Sequence, residues 1–444
     1  MSRIIHVFLT GLTFSLSSML LAQPGPQPDH ELRIYLQEDK AQYLKLTLLN
    51  QIWMRYTEAN PGSLVYDDHV AEIYDIGLRR TRFQLYGPIS SKVYVYFQFG
   101  QNNYSYLSKR FEGFFIHDAT AEYRVHKTLH LGTGLSGWSG MSRFTSPAAG
   151  SILGLDAPLY QQATNSVSDQ FLRKLSVYAK GKFKRLDYRF AISKPSAVQN
   201  SNVAISPISQ KSEFNTRAPR LQKQGYVTVQ LMSEEQNDTP YNTGTYLGNK
   251  KVFNIGAGFI HQSQAQWHLN ANSDTVLTDM LLAGIDFYFD VPLNEKKANA
   301  ISVYAAVNHY DFGPNYSRNI GVMNPSNGAD SSGSASGSGN AFPMISSGVT
   351  TYLQLGYLFK KFNTKKGRLG IYASSQISNT EYYDEVIQLY EGGINWYIDG
   401  DHSSKITFAL QNRPVMNNTT TEGLHSAIET DRKSMVVVQF QILK

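Results

Sequence analysis

A two-residue alternation of apolar and polar side chains constrains this chain more than any other feature. It begins at Leu44, runs almost to the last residue, and never gives way to a helical period. It is clearest between Gly77 and Gln101, where two alternating runs flank the turn Gly87-Pro88-Ile89-Ser90-Ser91. Successive side chains on a strand point to opposite faces. Thr81, Phe83 and Leu85 therefore share one face, and Arg80, Arg82, Gln84 and Tyr86 share the other. In the returning run Val93, Val95, Phe97 and Phe99 oppose Lys92, Tyr94, Tyr96 and Gln98. The pair reads as a hairpin with one apolar face and one polar, cationic face. A water-soluble sandwich would pack the apolar face, whereas a membrane barrel would turn it to lipid and line a channel with the polar one.

The rest of the chain decides for the barrel. With a first run over 44–56, further runs follow at 115–123, 129–136, 175–183, 186–192, 227–231, 253–259, 281–289, 301–307 and 349–359. Four more are centred on Ile371, Trp396, Phe408 and Val438. The total is about sixteen, an even number, as single-chain bacterial barrels require. Short connections are expected around Gly87, Lys127, Lys184, Leu293, Thr364 and Gly400, and long ones over 137–172, 194–222, 311–347 and 413–432. Short turns on one side and long loops on the other mark a barrel inserted from the periplasm. The segment 233–250 breaks the rule, being long where a turn is expected. The Gly/Ser run 328–339 lies between strands of one type and reads as a mobile surface loop.

Composition agrees with this reading. Twenty-eight Tyr and 34 Gly against 17% charged residues are unusual for a cytoplasmic enzyme and normal for strands with aromatic girdles and tight turns. The absence of Cys excludes a disulfide scaffold, thiolate metal sites and a lipid-modified cysteine anchor. A net charge of +6 over 444 residues is too small to imply nucleic-acid binding. Arg3, the apolar run that follows it and Leu20-Leu21-Ala22 read as a signal peptide over 1–22. A polar periplasmic lead-in over 23–42 and the barrel over 43–444 complete the expected organisation. Downstream of the leader no apolar run is long enough for a membrane helix, so a mature chain that spans a membrane does so with strands.

Enzyme motifs are weak. Gly132-Thr133-Gly134-Leu135-Ser136-Gly137 fits a dinucleotide fingerprint in letters only, since no βαβ pattern surrounds it. His126 and His130 lie on a turn and a strand and do not share a helical face. Glu234-Glu235 reads as a solvated turn. No catalytic residue, metal site or cofactor is expected. What remains is the cationic lumen face: Arg80, Arg82, Lys92, Lys180, Lys182 and Arg189, with Lys45 and Arg55 on the first strand and Asp118, Glu122 and Asp187 available to pair with them. Rings of Arg and Lys select anions, and the Arg fork suits phosphate or carboxylate. A contact pair of unit charges is worth roughly 4 kcal/mol at an effective dielectric near 20. That offsets part of an anion's dehydration without trapping it.

The chain resembles the phosphate-selective porin O and P family of outer-membrane channels. The likeness is carried by Leu78-Arg79-Arg80-Thr81-Arg82-Phe83, by Asp118-Ala119, by Gly393-Ile394-Asn395-Trp396-Tyr397-Ile398 and by the closing Val438-Gln439-Phe440-Gln441-Ile442. It implies an all-β transmembrane antiparallel barrel of sixteen strands, commonly a homotrimer, with the third long loop folded into the pore. Arg79, Arg80 and Arg82 would belong to the constriction, with Asp118 shaping it. By parity Arg79 points out of the lumen, so an inward place needs a bulge or a position near the mouth. The inward loop carries Arg143, against Asp156 and Asp169, where phosphate-selective members place lysine. The expectation is thus a passive porin of a diderm outer membrane, in contact with its lipid and passing small anions, phosphate first. Alternatives are a barrel scaffold whose loops bind partners, and a lipid-acting barrel enzyme using His117, His126 or His130 at the rim.

Overall fold

The computed structural model describes residues 31–109, 113–138, 140–198, 211–294, 298–361, 367–421 and 424–444. The expected signal peptide, the start of the lead-in, much of the 194–222 loop and the Thr364 turn lie outside these residues. The chain divides after Leu32, and every strand of the wall belongs to the unit Arg33–Lys444.

Sixteen strands form one closed antiparallel sheet. They are β1 (Tyr43–Glu58), β2 (Glu72–Pro88), β3 (Val93–Tyr104), β4 (Phe115–His126), β5 (Leu129–Ser136) and β6 (Lys174–Phe183). Next come β7 (Leu186–Lys194), β8 (Gln222–Gln230), β9 (Val252–Leu269), β10 (Thr275–Asn294) and β11 (Asn299–Asp311). The last five are β12 (Gly348–Leu358), β13 (Arg368–Thr380), β14 (Ile387–Tyr397), β15 (Ser404–Thr421) and β16 (Leu424–Leu443). Each pairs with the next, and β16 returns to β1 from Leu49↔Leu443 to Thr57↔Met435. Closure leaves the wall without an edge.

The alternation sorts side chains inside-out. Phe97, Phe99, Val177, Ile192, Val307, Leu355 and Phe408 are exposed on the outer surface, while Tyr96, Gln98, Tyr178, Asn308, Gln354, Thr407 and Gln439 are buried within. Ile285 is 64% exposed and its neighbour Asp286 3%. The register shifts at several places along the wall, and two of these bulges turn further polar side chains inward beside Arg82. Across β1 and β2, Gln51 pairs with Arg80 but Ile52 pairs with Leu78, which leaves Arg79 as the extra residue. Arg79 and Arg80 therefore both turn inward, as the sequence required of a bulge. Across β3 and β4, Gln98 pairs with Asp118 and Phe99 with Ile116, so His117 joins Asp118 inside.

Several strands outrun the alternation. β8 starts at Gln222, β9 continues through the polar run His261-Gln262-Ser263-Gln264, and the expected 413–432 loop is instead the paired end of β15 and β16. Beyond an apolar belt a strand needs no apolar face, so the two-residue signal fades while the ladder continues.

Among the described residues, connections that enter the barrel include an outer insert over 137–173, an inner strap over 231–251 and a capping loop over 312–347. The outer insert includes two 3-10 turns, Arg143–Thr145 and Leu159–Gln161. Side chains around the wall grip its backbone: Gln51 donates to the Ala149 carbonyl (3.3 Å), Gln441 to Gly150 (2.8 Å), Lys405 to Ile152 (3.0 Å) and Asn395 to Leu153 (2.9 Å). Its backbone also presses on two paired glycines of β9 and β10. A Cβ on Gly258 or on Gly284 would stand 2.9 Å from the Met141 carbonyl oxygen. The apolar core thus lies inside the barrel, where Met141, Phe144 and Tyr160 pack with Tyr304, Tyr310, Phe342 and Met344.

The Gly/Ser run expected as a mobile surface loop is seated on the outer end of the wall. Asn60 Nδ2 donates to the Gly337 carbonyl (2.8 Å), the Gly339 N–H to Ser63 Oγ (2.8 Å) and the Met416 N–H to Ser336 Oγ (2.8 Å). Small residues let the backbone come close enough for these bonds.

Candidate functional site

Arg79, Arg80 and Arg82 of β2 and Asp118 of β4 are buried on the inner side of the wall, with Gln98 of β3 between them. Arg79 donates from Nε and Nη2 to the Asp156 carboxylate (3.2 and 2.9 Å) and from Nη1 to Asn103 (2.7 Å). Arg80 reaches the same carboxylate and donates to Gln51 (2.7 Å). The outer insert thus supplies the carboxylate that the bulged pair of arginines shares. Arg82 donates from Nε to Asn102 (3.2 Å) and has no carboxylate within 4 Å among the described residues. Arg55, nearby on β1, is fully engaged by Asp75 (2.8 and 2.6 Å) and the carbonyls of Val322 and Met323.

Asp118 accepts from Tyr241 Oη (2.5 Å), Arg173 Nε (3.2 Å) and the Gly137 N–H (3.1 Å). Arg173 also donates from Nη2 to Gln98 (2.8 Å) and to Tyr241 Oη (2.6 Å). Burial works against the Arg173 charge, but Asp118 and Tyr241 hold its pKa above the ordinary guanidinium value. Arg79, Arg80, Arg82 and Arg173 line one cavity of about 140 Å³, with Asn103, Tyr241 and the backbone of 320–323. Of these four guanidinium groups, Arg79 and Arg80 share the Asp156 carboxylate and Arg173 holds Asp118, while Arg82 bonds Asn102. The excess favours a small anion, and the forks offer paired N–H donors to planar or tetrahedral oxyanions.

The other expected cations lie elsewhere. Lys180 pairs with Glu122 (2.8 Å) and donates to the Asn237 carbonyl (2.6 Å). Lys182 bonds the Glu235 carbonyl and stands 3.9 Å from Asp187. Arg189 donates to the Pro240 carbonyl (3.1 Å) and to Asn242 (2.9 Å), 3.8 Å from Asp187. These three hold the inner strap rather than form one ladder with the arginines of β2. Lys92 lines a second cavity of about 360 Å³ at the short-turn end, with Tyr94, Glu122, Arg124, His130 and Asp238.

Arg143 joins the two inserts. It donates from Nη1 and Nη2 to Glu235 (2.7 and 2.6 Å) and from Nη2 to the Thr243 carbonyl (2.7 Å), with its guanidinium 3.7 Å from the Tyr288 ring centre. Glu235 is therefore not in a solvated turn, as its sequence context implied, but buried and paired. Burial pushes its carboxyl up, yet the Arg143 charge and hydrogen bonds from Arg143, Tyr246 and Asn254 outweigh that and bring its pKa to about 2. Burial likewise opposes the Arg143 charge, and Glu235 more than restores it.

Arg173, Tyr241 and Asn242 escaped the sequence reading. The one signal that pointed to the strap was its length, out of place at a turn. The histidines considered for catalysis are dispersed: His117 is interior beside Phe115 and Phe171, His126 is exposed with Thr128, and His130 is 3.8 Å from Glu122.

Among solved structures the chain is similar to Salmonella typhi OmpF in complex with daunomycin, at 9% identity over 93% of this chain and 100% of that one, with a TM-score of 0.47. It is similar to OmpT, an outer membrane protein of Vibrio cholerae, in its trimer form, at 10% identity over 90% and 99% of the chains and a TM-score of 0.44. A triple mutant of Rhodopseudomonas blastica porin matches at 10% identity over 90% and 100%, with a TM-score of 0.44. No protein-family model matches the chain, and no curated protein does. Likeness at these identities concerns the barrel alone and carries no role with it.

Proposed function

We propose that this chain is an outer-membrane porin through which small solutes diffuse passively, with a preference for anions and phosphate as the leading candidate. The observation that carries the reading is the inverted wall. Phe97, Phe99, Val177, Ile285 and Phe408 are exposed outside, and Gln98, Asp286, Thr407 and Gln439 are buried inside. In water such an outer surface invites aggregation; in hydrocarbon it is the stable arrangement, since closure satisfies every strand's backbone internally. Anion preference is supported by the four guanidinium groups that line one cavity, against the two carboxylates, Asp156 and Asp118, that bond three of them. The resemblance to phosphate-selective porins, a cleaved leader over 1–22 and assembly as a homotrimer belong to the same proposal.

Planar bilayers holding the refolded full chain test it. Stepwise conductance and a reversal potential of anion-selective sign in a potassium chloride gradient are expected, with phosphate competing. Cation selectivity would refute the anion preference alone. A second reading is a barrel whose main role is interaction within an outer-membrane assembly. The three inserts packed around an internal apolar core favour it. A permanently silent bilayer would decide for that one.

A further inference from the structure

We infer that residues 231–251 are a barrier strap that divides the lumen, and that passage of solute requires Tyr241 to leave Asp118 and Arg173. The inference rests on the porin reading above and concerns how that pore is closed.

The strap enters from the short-turn end, where the other described connections between strands are only a few residues long. Its neck is shut by the Leu231 N–H on the Phe253 carbonyl (2.7 Å) and the Ser233 N–H on the Lys251 carbonyl (3.0 Å). The intervening chain is thus a loop with adjoining ends. Within it Asp238 lines the 360 Å³ cavity and Tyr241, three residues on, lines the 140 Å³ cavity. The chain between them stands where the two spaces would otherwise join.

Its root is fixed by the Arg143–Glu235 pair (2.6 Å), by Arg368 on the Leu247 carbonyl (3.0 Å) and by His402 on the Thr245 carbonyl (3.0 Å), and the fixings of its tip fall into two groups. Toward the wall, Lys180 and Arg189 donate to the carbonyls of Asn237 (2.6 Å) and Pro240 (3.1 Å). Toward the outer insert it pairs as a short parallel strand: the Asn242 N–H donates to the Ser146 carbonyl (2.8 Å), and the Ala148 N–H to the Asn242 carbonyl (2.8 Å). Pro147 and Asn242 lie opposite each other in that bridge. Tyr241 is different in kind. Its hydroxyl donates to Asp118 (2.5 Å) and accepts from Arg173 (2.6 Å), so it occupies donor capacity that the cationic cavity would otherwise turn to a passing solute. None of the bonds that hold the tip around Tyr241 belongs to the ladder of the wall, so the tip leaves Asp118 and Arg173 while the root stays fixed through Glu235 to Arg143 and through Leu247 to Arg368.

The chain has no cysteine, so a single disulfide can be introduced without competition. The full chain carrying Pro147→Cys with Asn242→Cys would be refolded, reconstituted in planar bilayers, and recorded oxidised and then reduced in the same membrane, with the cross-link verified by mass. The expected result is a loss of roughly tenfold or more in open-state current on oxidation, recovered by reductant. In a second protein, Tyr241→Ala, conductance should rise several-fold above the parent. Equal currents in the oxidised and reduced pair, or a parent-like Tyr241→Ala channel, overturn the strap while leaving the porin standing. Silence of the parent and of both variants in every state overturns the porin reading, and the strap with it.

Discussion

Replacing Arg143 by methionine tests the join between the two inserts. In the parent the guanidinium makes two bonds of 2.7 and 2.6 Å to Glu235, and the two side chains are 2% and 9% exposed. Methionine keeps much of the packing against Tyr288 but leaves Glu235 with only Tyr246 (2.6 Å) and Asn254 to meet its charge. Breaking a buried pair from one side costs about 3–5 kcal/mol, because the remaining ion has lost both water and partner. Glu235→Gln should cost a similar amount through the orphaned guanidinium. The double variant removes both charges and should cost less than either single change. The assay is urea unfolding of the refolded full chain, followed by tryptophan fluorescence, with a double-mutant cycle across the pair. Single costs below about 1 kcal/mol, as at a solvated pair, or a double variant that is strictly additive, would refute the reasoning.

Arg80→Ala with Arg82→Ala should lower the anion-to-cation permeability ratio several-fold. Each charge about 8 Å from a passing anion contributes about 2 kcal/mol at an effective dielectric of 20 before screening; an unchanged reversal potential in a salt gradient would argue against these arginines. Gly284→Val should loosen the outer insert, since a Cβ there meets the Met141 carbonyl at 2.9 Å and crowds Asn308 Nδ2 more closely still. Overpacking of this kind costs about 1–3 kcal/mol, and protease cleavage within 137–173 should quicken. His402, in the β14–β15 turn, is held down to a pKa of about 4 by burial and the nearby Lys405 charge, against the Thr245 carbonyl it bonds (3.0 Å) and Asp401. The unfolded chain protonates this ring first, so its contribution to stability is complete above the ordinary histidine range and is lost as pH falls toward 4. Acidification from pH 7 to about 4.5 should therefore remove about 2–3 kcal/mol, a loss that His402→Gln abolishes; identical urea midpoint shifts in the two proteins would count against it.

The wall was legible because an apolar outer surface over a polar interior imposes the same alternation at nearly every residue of the belt. Phe97, Phe99, Ile285 and Phe408 each announce a face, and the even strand count comes from adding such runs. The contents were much less legible. Nothing periodic marks 137–173 or 231–251, whose backbones are satisfied by side chains from strands far away in sequence, such as Lys405 on Ile152 and Arg189 on Pro240. Asp156 and Asp118 are unremarkable letters until a bulge and an insert bring Arg79, Arg80 and Arg173 to them. Glu235 was misread for the same reason: a charge beside another charge looks wet, and only the fold supplies Arg143. The extra length at 233–250 was the visible trace of the strap, and the sequence offers no physical rule that turns length into an address.

The extra residue at Arg79 has a consequence for how such a wall can change over generations. A strand whose count is off by one presents two adjacent side chains to the same side, so a one-codon insertion adds a cationic group to the barrel interior while the outward-facing pattern on either flank is preserved. The reverse edit should be equally mild. Deleting Arg79 would restore strict parity to β2, keep Leu78 and Thr81 on the outward face, and subtract one positive group. Strand lengths, rather than substitutions alone, are then a route by which a barrel of this kind retunes what it admits.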